Sequence, residues 1–94
     1  MKLTLEQRLR PHPDVVDTDL DGGETALLHL ETKTYFSLNA TGSRIWQGLK
    51  DGLSLAEVSR RLQEEYRIDA AGADESVLRV ATELAGAKLV RPSE

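Results

Sequence analysis

The stretch Thr34-Tyr35-Phe36-Ser37-Leu38-Asn39-Ala40-Thr41-Gly42-Ser43-Arg44-Ile45-Trp46 constrains the fold of this chain more than any other. It holds three of the four aromatic residues, and its hydrophobic period changes half-way along. Phe36 and Leu38 sit two apart, as on one face of a strand; Ile45, Trp46 and Leu49 are spaced as on one face of a helix. Asn39 lies at the change, where a short polar side chain can accept a hydrogen bond from a free N–H at a helix start. A strand therefore runs almost without a loop into a helix, and Trp46 is the expected anchor of the core.

Three short strands precede the switch or belong to it. Val15-Val16 begins the first, Gly22-Gly23 makes a tight turn, and Glu24 to Glu31 reads as the second, with Ala26, Leu28 and Leu30 on the core face and Leu27 and His29 opposite. Thr32-Lys33 turns into the third, Thr34 to Leu38. Such an order makes an antiparallel meander. Beyond Asn39 the period is helical. One helix runs from about Ala40 to Leu49. A second opens on Ser54-Leu55-Ala56-Glu57, a capping box in which Ser54 and Glu57 satisfy each other's backbone N–H groups; its apolar line is Leu55, Val58, Leu62 and Tyr66. Asp69 can cap a third, although Gly72, at a cost of about 1 kcal/mol against alanine, moves the expected start toward Asp74. Val90 adds a last extended residue. The class is α+β, a three-stranded antiparallel sheet followed by three helices in the outline of a winged helix-turn-helix. Residues 1–12, broken by Pro11 and Pro13 around His12, read as a flexible arm before a domain spanning 13–91.

Ninety-four residues suffice for one modest core. There is no cysteine, hence no disulfide and no thiolate chemistry. Glu6, Gln7 and Arg8 interrupt the N-terminal leucines, so no secretory or membrane segment is expected, and the chain reads as cytoplasmic. The formal charge is −4, and residues 51–94 carry nine acids against six bases. Residues 69–88 have a net charge of −2, the wrong sign for a helix entering a groove lined with phosphates. A winged-helix DNA-binding regulator is therefore the alternative reading, not the favoured one.

Catalytic and metal patterns are weak. Asp17-Thr18-Asp19-Leu20-Asp21-Gly22 begins like a calcium loop, but the twelfth position, where a glutamate is needed, is Leu28. His12 and His29 lack a metal-binding spacing, and His29 reads as a rim or solvent position. No serine sits in a nucleophile elbow. Neither enzyme chemistry, a metal nor a cofactor is expected. What the chain does offer is a free strand edge, able to pair with an extended segment of another chain or with a second copy of itself. The third helix carries two apolar lines, Leu78-Ala81-Ala85 and Val77-Val80-Leu84. One of them suffices for the core and the other could floor a groove, or both are core.

The run from Leu27 to Trp46, with Tyr35, Leu38-Asn39, Gly42 and Ile45-Trp46 in order, resembles the PqqD-like proteins. Ser54-Leu55-Ala56-Glu57-Val58, Glu65-Tyr66, Ile68-Asp69 and Leu84 to Val90 fall where that family has its second and third helices. The resemblance implies a peptide-recognition element that holds the leader of a ribosomally made precursor and delivers it to a leader peptidase, a cyclase or a radical-SAM enzyme. It further implies that the leader adds as a strand beside Thr34, Tyr35, Phe36, Ser37 and Leu38. Val77, Val80, Ala81 and Leu84 would line the groove, and Asp74, Glu75 and Arg79 would meet leader charges. Leu38, Trp46 and Leu62 match core positions. The acidic balance and the Tyr35-Phe36 pair favour the lasso-peptide type over the PQQ type. Lys33 stands where the family often has glycine, so the turn before the third strand is of another type or slightly strained.

Overall fold

A computed structural model describes residues 3–93. Its elements are β1 (Leu9–Pro11), β2 (Val15–Asp19), a single 3-10 turn at Asp21–Gly23, β3 (Thr25–His29), β4 (Tyr35–Leu38), α1 (Ala40–Lys50), α2 (Leu55–Tyr66), α3 (Ala70–Gly86) and β5 (Val90–Pro92). The class is mixed α+β, with the meander in the order β2-β3-β4 and all pairs antiparallel. The strand expected third is β4.

A second, two-stranded ribbon joins the ends of the chain. β1 pairs antiparallel with β5, Leu9 opposite Pro92 and Pro11 opposite Val90. The expectation of a loose arm over residues 1–12 is thus corrected for its latter part. Leu9 is buried in the core. The carbonyls of Leu5 and Gln7 accept from the N–H groups of Ala56 and Leu55 at 2.8 and 2.9 Å. These are donors at the start of α2 that have no partner within the helix.

The faces of β3 are also the reverse of the expectation. Thr25, Leu27 and His29 are buried, whereas Leu28 and Leu30 are exposed; of the set expected to face the core only Ala26 is buried. The buried His29 has a job there: its Nδ1 accepts from the N–H groups of Glu31 (3.2 Å) and Thr32 (3.4 Å) in the β3–β4 loop. Its ring lies against that of His12, with centroids 4.5 Å apart.

The three helices begin where side chains cap them. Asn39 Oδ1 accepts from Gly42 N–H at 2.8 Å, and the Ser54–Glu57 box is closed from both sides. Asp69 Oδ1 accepts from Gly72 N–H at 2.8 Å, so α3 starts at Ala70 rather than near Asp74. A side chain at 72 would place its Cβ 2.8 Å from that oxygen, which makes the glycine part of the cap. α1 and α2 approach closely at Gly48, where a Cβ would lie 2.7 Å from Val58 Cγ2. The core gathers Leu9, Leu27, Leu38, Ile45, Trp46, Leu49, Leu55, Val58, Leu62, Leu84 and Leu89, with Ala73, Val77 and Ala81 along α3. Tyr66, expected on the apolar line of α2, is exposed instead.

Candidate functional site

The hydrogen-bond parity of β4 decides what its edge can offer. His29 N–H donates to Thr34 C=O at 2.9 Å, and Leu27 and Thr25 then face Phe36 and Leu38 in register. In an antiparallel ladder the inward and outward backbone groups alternate. Thr34, Phe36 and Leu38 therefore turn their backbone toward β3, while the N–H and C=O of Tyr35 and Ser37 point off the sheet. Side chains alternate in the other direction. Leu38 is buried and Phe36 half-buried against the core; Tyr35 and Ser37 are exposed, and Thr34 is half-buried.

The opposite edge, β2, is less open. Its outward residues are Val15, Asp17 and Asp19 by the same alternation, and Val15 N–H is already taken by His12 C=O at 3.0 Å. Asp17 Oδ2 accepts from both Trp46 Nε1 and Lys50 Nζ, each at 2.7 Å, tying β2 to α1. The Lys50 hydrogen bond, then that of Trp46, hold the Asp17 carboxyl below the usual carboxylate value. That role was invisible in the sequence, where Asp17 reads as part of an acidic turn; its partners lie 29 and 33 residues away.

The turn into β4 is left-handed at Lys33. Lys33 N–H donates to His29 C=O at 2.8 Å, and Lys33 adopts φ 63°, the left-handed conformation. Glycine takes that conformation without steric cost, whereas any L side chain pays for its Cβ. The turn keeps the geometry glycine would favour and carries the strain. Gly42, at the other end of the strand, sits where space is tight. A Cβ there would meet Leu38 Cδ2 at 3.2 Å and Asn39 Oδ1 at 3.3 Å.

The residues expected from α3 are not all at the surface. Val77, Ala81 and Leu84 are fully buried and hold the helix in the core. Val80 is half-buried against that core, as are Leu78 and Ala85. The buried line thus takes members of both apolar lines. Asp74 is engaged by Ser59, whose hydroxyl donates to Asp74 Oδ1. Glu75 and Arg79 are exposed and form no ion pair among the described residues. Hollows among the described residues lie elsewhere. One of about 550 Å³ opens beside Asp17, Trp46 and Lys50, and one of about 300 Å³ lies between His29, Thr32, Lys88 and Arg91. Neither is lined by β4.

Residues 24–90 match the family Coenzyme PQQ synthesis protein D (PqqD). The chain belongs to the PqqD family. Two solved structures are similar over nearly the whole fold. "TbiB1 in Complex with the TbiA(beta) Leader Peptide" is 33% identical, covers 90% of this chain and 98% of its own, and superposes with a TM-score of 0.83. "Lasso peptide synthetase B1 complexed with the leader peptide" is 29% identical, with coverages of 90% and 99% and a TM-score of 0.81. No curated protein matches the sequence. The PqqD match begins at Glu24, so β1 and β2 lie outside it, while β3, β4, α1, α2 and α3 lie within.

Proposed function

We propose that this PqqD-family protein binds the leader segment of a ribosomally made precursor peptide, without catalysing a reaction itself, and presents it to a processing enzyme of a lasso-peptide-type pathway. The observation that carries the reading is the open edge of β4 in a chain whose two structural neighbours are both complexes with a leader peptide. The peptide would add as a fourth strand, bonding to the outward N–H and C=O groups of Tyr35 and Ser37. Main-chain pairing supplies orientation, and side chains between β4 and α3 supply selectivity. Val80, Glu75 and Arg79 are among the α3 residues with surface to offer; Val77, Ala81 and Leu84 would support them from beneath. Ordering a flexible leader costs part of the gross interaction energy, which fits an affinity in the micromolar to nanomolar range. The winged-helix outline belongs to this reading as architecture only, and a leader peptidase or cyclase is the enzyme we expect to be served, in the cytoplasm.

The test is a titration of the protein with the leader of the precursor encoded beside it, followed by backbone amide shifts in NMR. Shifts concentrated at residues 34–38 and 76–84 are expected. Saturating leader that leaves both segments unmoved would remove the strand-addition mechanism.

A further inference from the structure

The outer face of the meander, the one turned away from α1, carries an apolar row beside the row Thr18, Ala26 and Ser37, where an antiparallel sheet facing water is polar. Register puts Val16 beside Leu28, and Leu28 beside Tyr35, so one row crosses all three strands. These side chains are 47%, 37% and 64% exposed, and Leu30 (47%) extends the patch at one end. Of the seven large apolar side chains that the described residues leave exposed, four are here. A patch of this kind on a small protein marks a contact surface.

Charge narrows what covers it. Residues 11–43, which make the whole meander, contain six acids and a single base, Lys33; the rest of the chain has ten acids and eleven bases. The negative charge of the protein therefore resides on the sheet. Of the acids in this segment, Asp14, Asp21, Glu24 and Glu31 make no ion pair among the described residues. A second copy docked face to face by a two-fold axis would set this acidic rim against itself. An anionic membrane surface would be repelled in the same way. The fitting partner is a protein with an apolar centre and a basic rim, which would be attracted from a distance and held by burial.

We infer that the outer sheet face, centred on Val16, Leu28 and Leu30, is the docking surface for the processing enzyme that acts on the bound peptide. This rests on the leader-binding reading, because the apolar row ends on Tyr35 of β4, the strand whose edge would carry the peptide. A protein seated on that face lies directly beside the added strand without covering its hydrogen-bonding edge. Binding of peptide and binding of enzyme thus use perpendicular sides of one strand.

The test uses the intact protein, the leader peptidase encoded with the same precursor, and two single variants, Leu28→Lys and Leu30→Lys. Leu30 lies outside the strands, so its variant keeps the test decisive if a lysine in mid-sheet perturbs folding. Calorimetric titration of the peptidase without peptide is expected to show binding that weakens with added salt and falls at least tenfold in either folded variant. Leader affinity, measured separately, should change less than twofold. Wild-type protein that does not bind the peptidase, or variants that bind it as well as wild type, would overturn the inference. So would a wild-type dimer in sedimentation that either variant dissolves. Loss of leader binding by the wild-type protein would instead strike the parent reading, since the peptidase titration contains no leader.

Discussion

Replacing Ser37 by proline tests strand addition at the level of a single hydrogen bond. The Ser37 N–H points away from β3, so its removal leaves the β3–β4 ladder intact, and proline is tolerated at such edge positions. The residue before it, Phe36, is already in a strand, the conformation that a following proline requires. An added peptide loses one main-chain bond, a net effect of about 1 kcal/mol. The pyrrolidine ring also stands where the incoming carbonyl would approach, so the combined loss should reach about 1.5–3 kcal/mol, or roughly 10- to 150-fold in Kd. Fluorescence anisotropy of a labelled leader measures the affinity, and circular dichroism measures the thermal midpoint. Phe36→Pro is the control: it removes an N–H directed at β3 together with a half-buried ring, and it should destabilise the fold severely. Full leader affinity in a folded Ser37→Pro protein would show that the outward backbone of β4 is not where the peptide pairs. A collapse of the midpoint in Ser37→Pro, matching that of Phe36→Pro, would show that the assigned parity is wrong.

Three further expectations concern the frame around that strand. Lys33→Gly should stabilise the protein by about 1 kcal/mol, because glycine relieves the left-handed backbone at φ 63°; for a domain of this size that is a rise of about 4–8 °C in Tm. Gly48→Ala should destabilise by about 1–3 kcal/mol, since the new methyl would sit 2.7 Å from Val58 Cγ2, and Val58→Ala in the same chain should recover part of the loss. Asp17→Asn should lower stability at neutral pH by breaking the contact with Lys50 and Trp46. The Asp17 pKa is lowered in the folded state, so its stabilising effect is present above the ordinary value of 3.8 and fades as pH falls through the lower, folded value. The gap between wild type and Asp17→Asn, read from urea midpoints at several pH values, should close on the acid side.

The parts of this fold that were legible in the sequence are those fixed by neighbours in the chain. Asn39, Ser54 with Glu57, and Asp69 cap the three helices as their spacing implies, because a cap needs only the next three residues. The family signature from Leu27 to Trp46 likewise reports local geometry, including the cap and the tight packing at Gly42. α3 starts at Ala70 and not near Asp74 because the Asp69 bond to Gly72 N–H outweighs the cost of the glycine in the first turn. The β1–β5 ribbon was not legible at all. It joins two three-residue segments some eighty positions apart, one of them containing Pro11 and the other Pro92, and no local pattern announces such a pairing. Lys88 marks the same end of the molecule. It takes a left-handed φ of 61° so that Leu89 N–H can reach Leu84 C=O at 2.9 Å and turn the chain into β5.

The inverted faces of β3 are the most informative departure. Alternation along Thr25–His29 separates two faces, but which one is buried must be judged from polarity, and here polarity points the wrong way. Ala26, Leu28 and Leu30 are uniformly apolar, while the opposite set contains Thr25 and His29. The set containing the two polar residues is nonetheless the buried one, because His29 supplies the acceptor that the β3–β4 loop needs and Leu27 fills the core beside Phe36 and Trp46. A one-residue shift in the register of β3 would move Leu28 inward and satisfy the simple pattern, but it would strip the loop of its imidazole acceptor and break the pairing of His29 with Thr34. The apolar outer face is therefore held outward by the hairpin that forms the β4 edge. Exposing leucines on the central strand of so small a sheet is costly for solubility, and the acids concentrated between residues 11 and 43 counter that cost by repelling like copies. The same two features, an apolar centre and a single-sign rim, are those a surface needs to refuse itself and accept a basic partner.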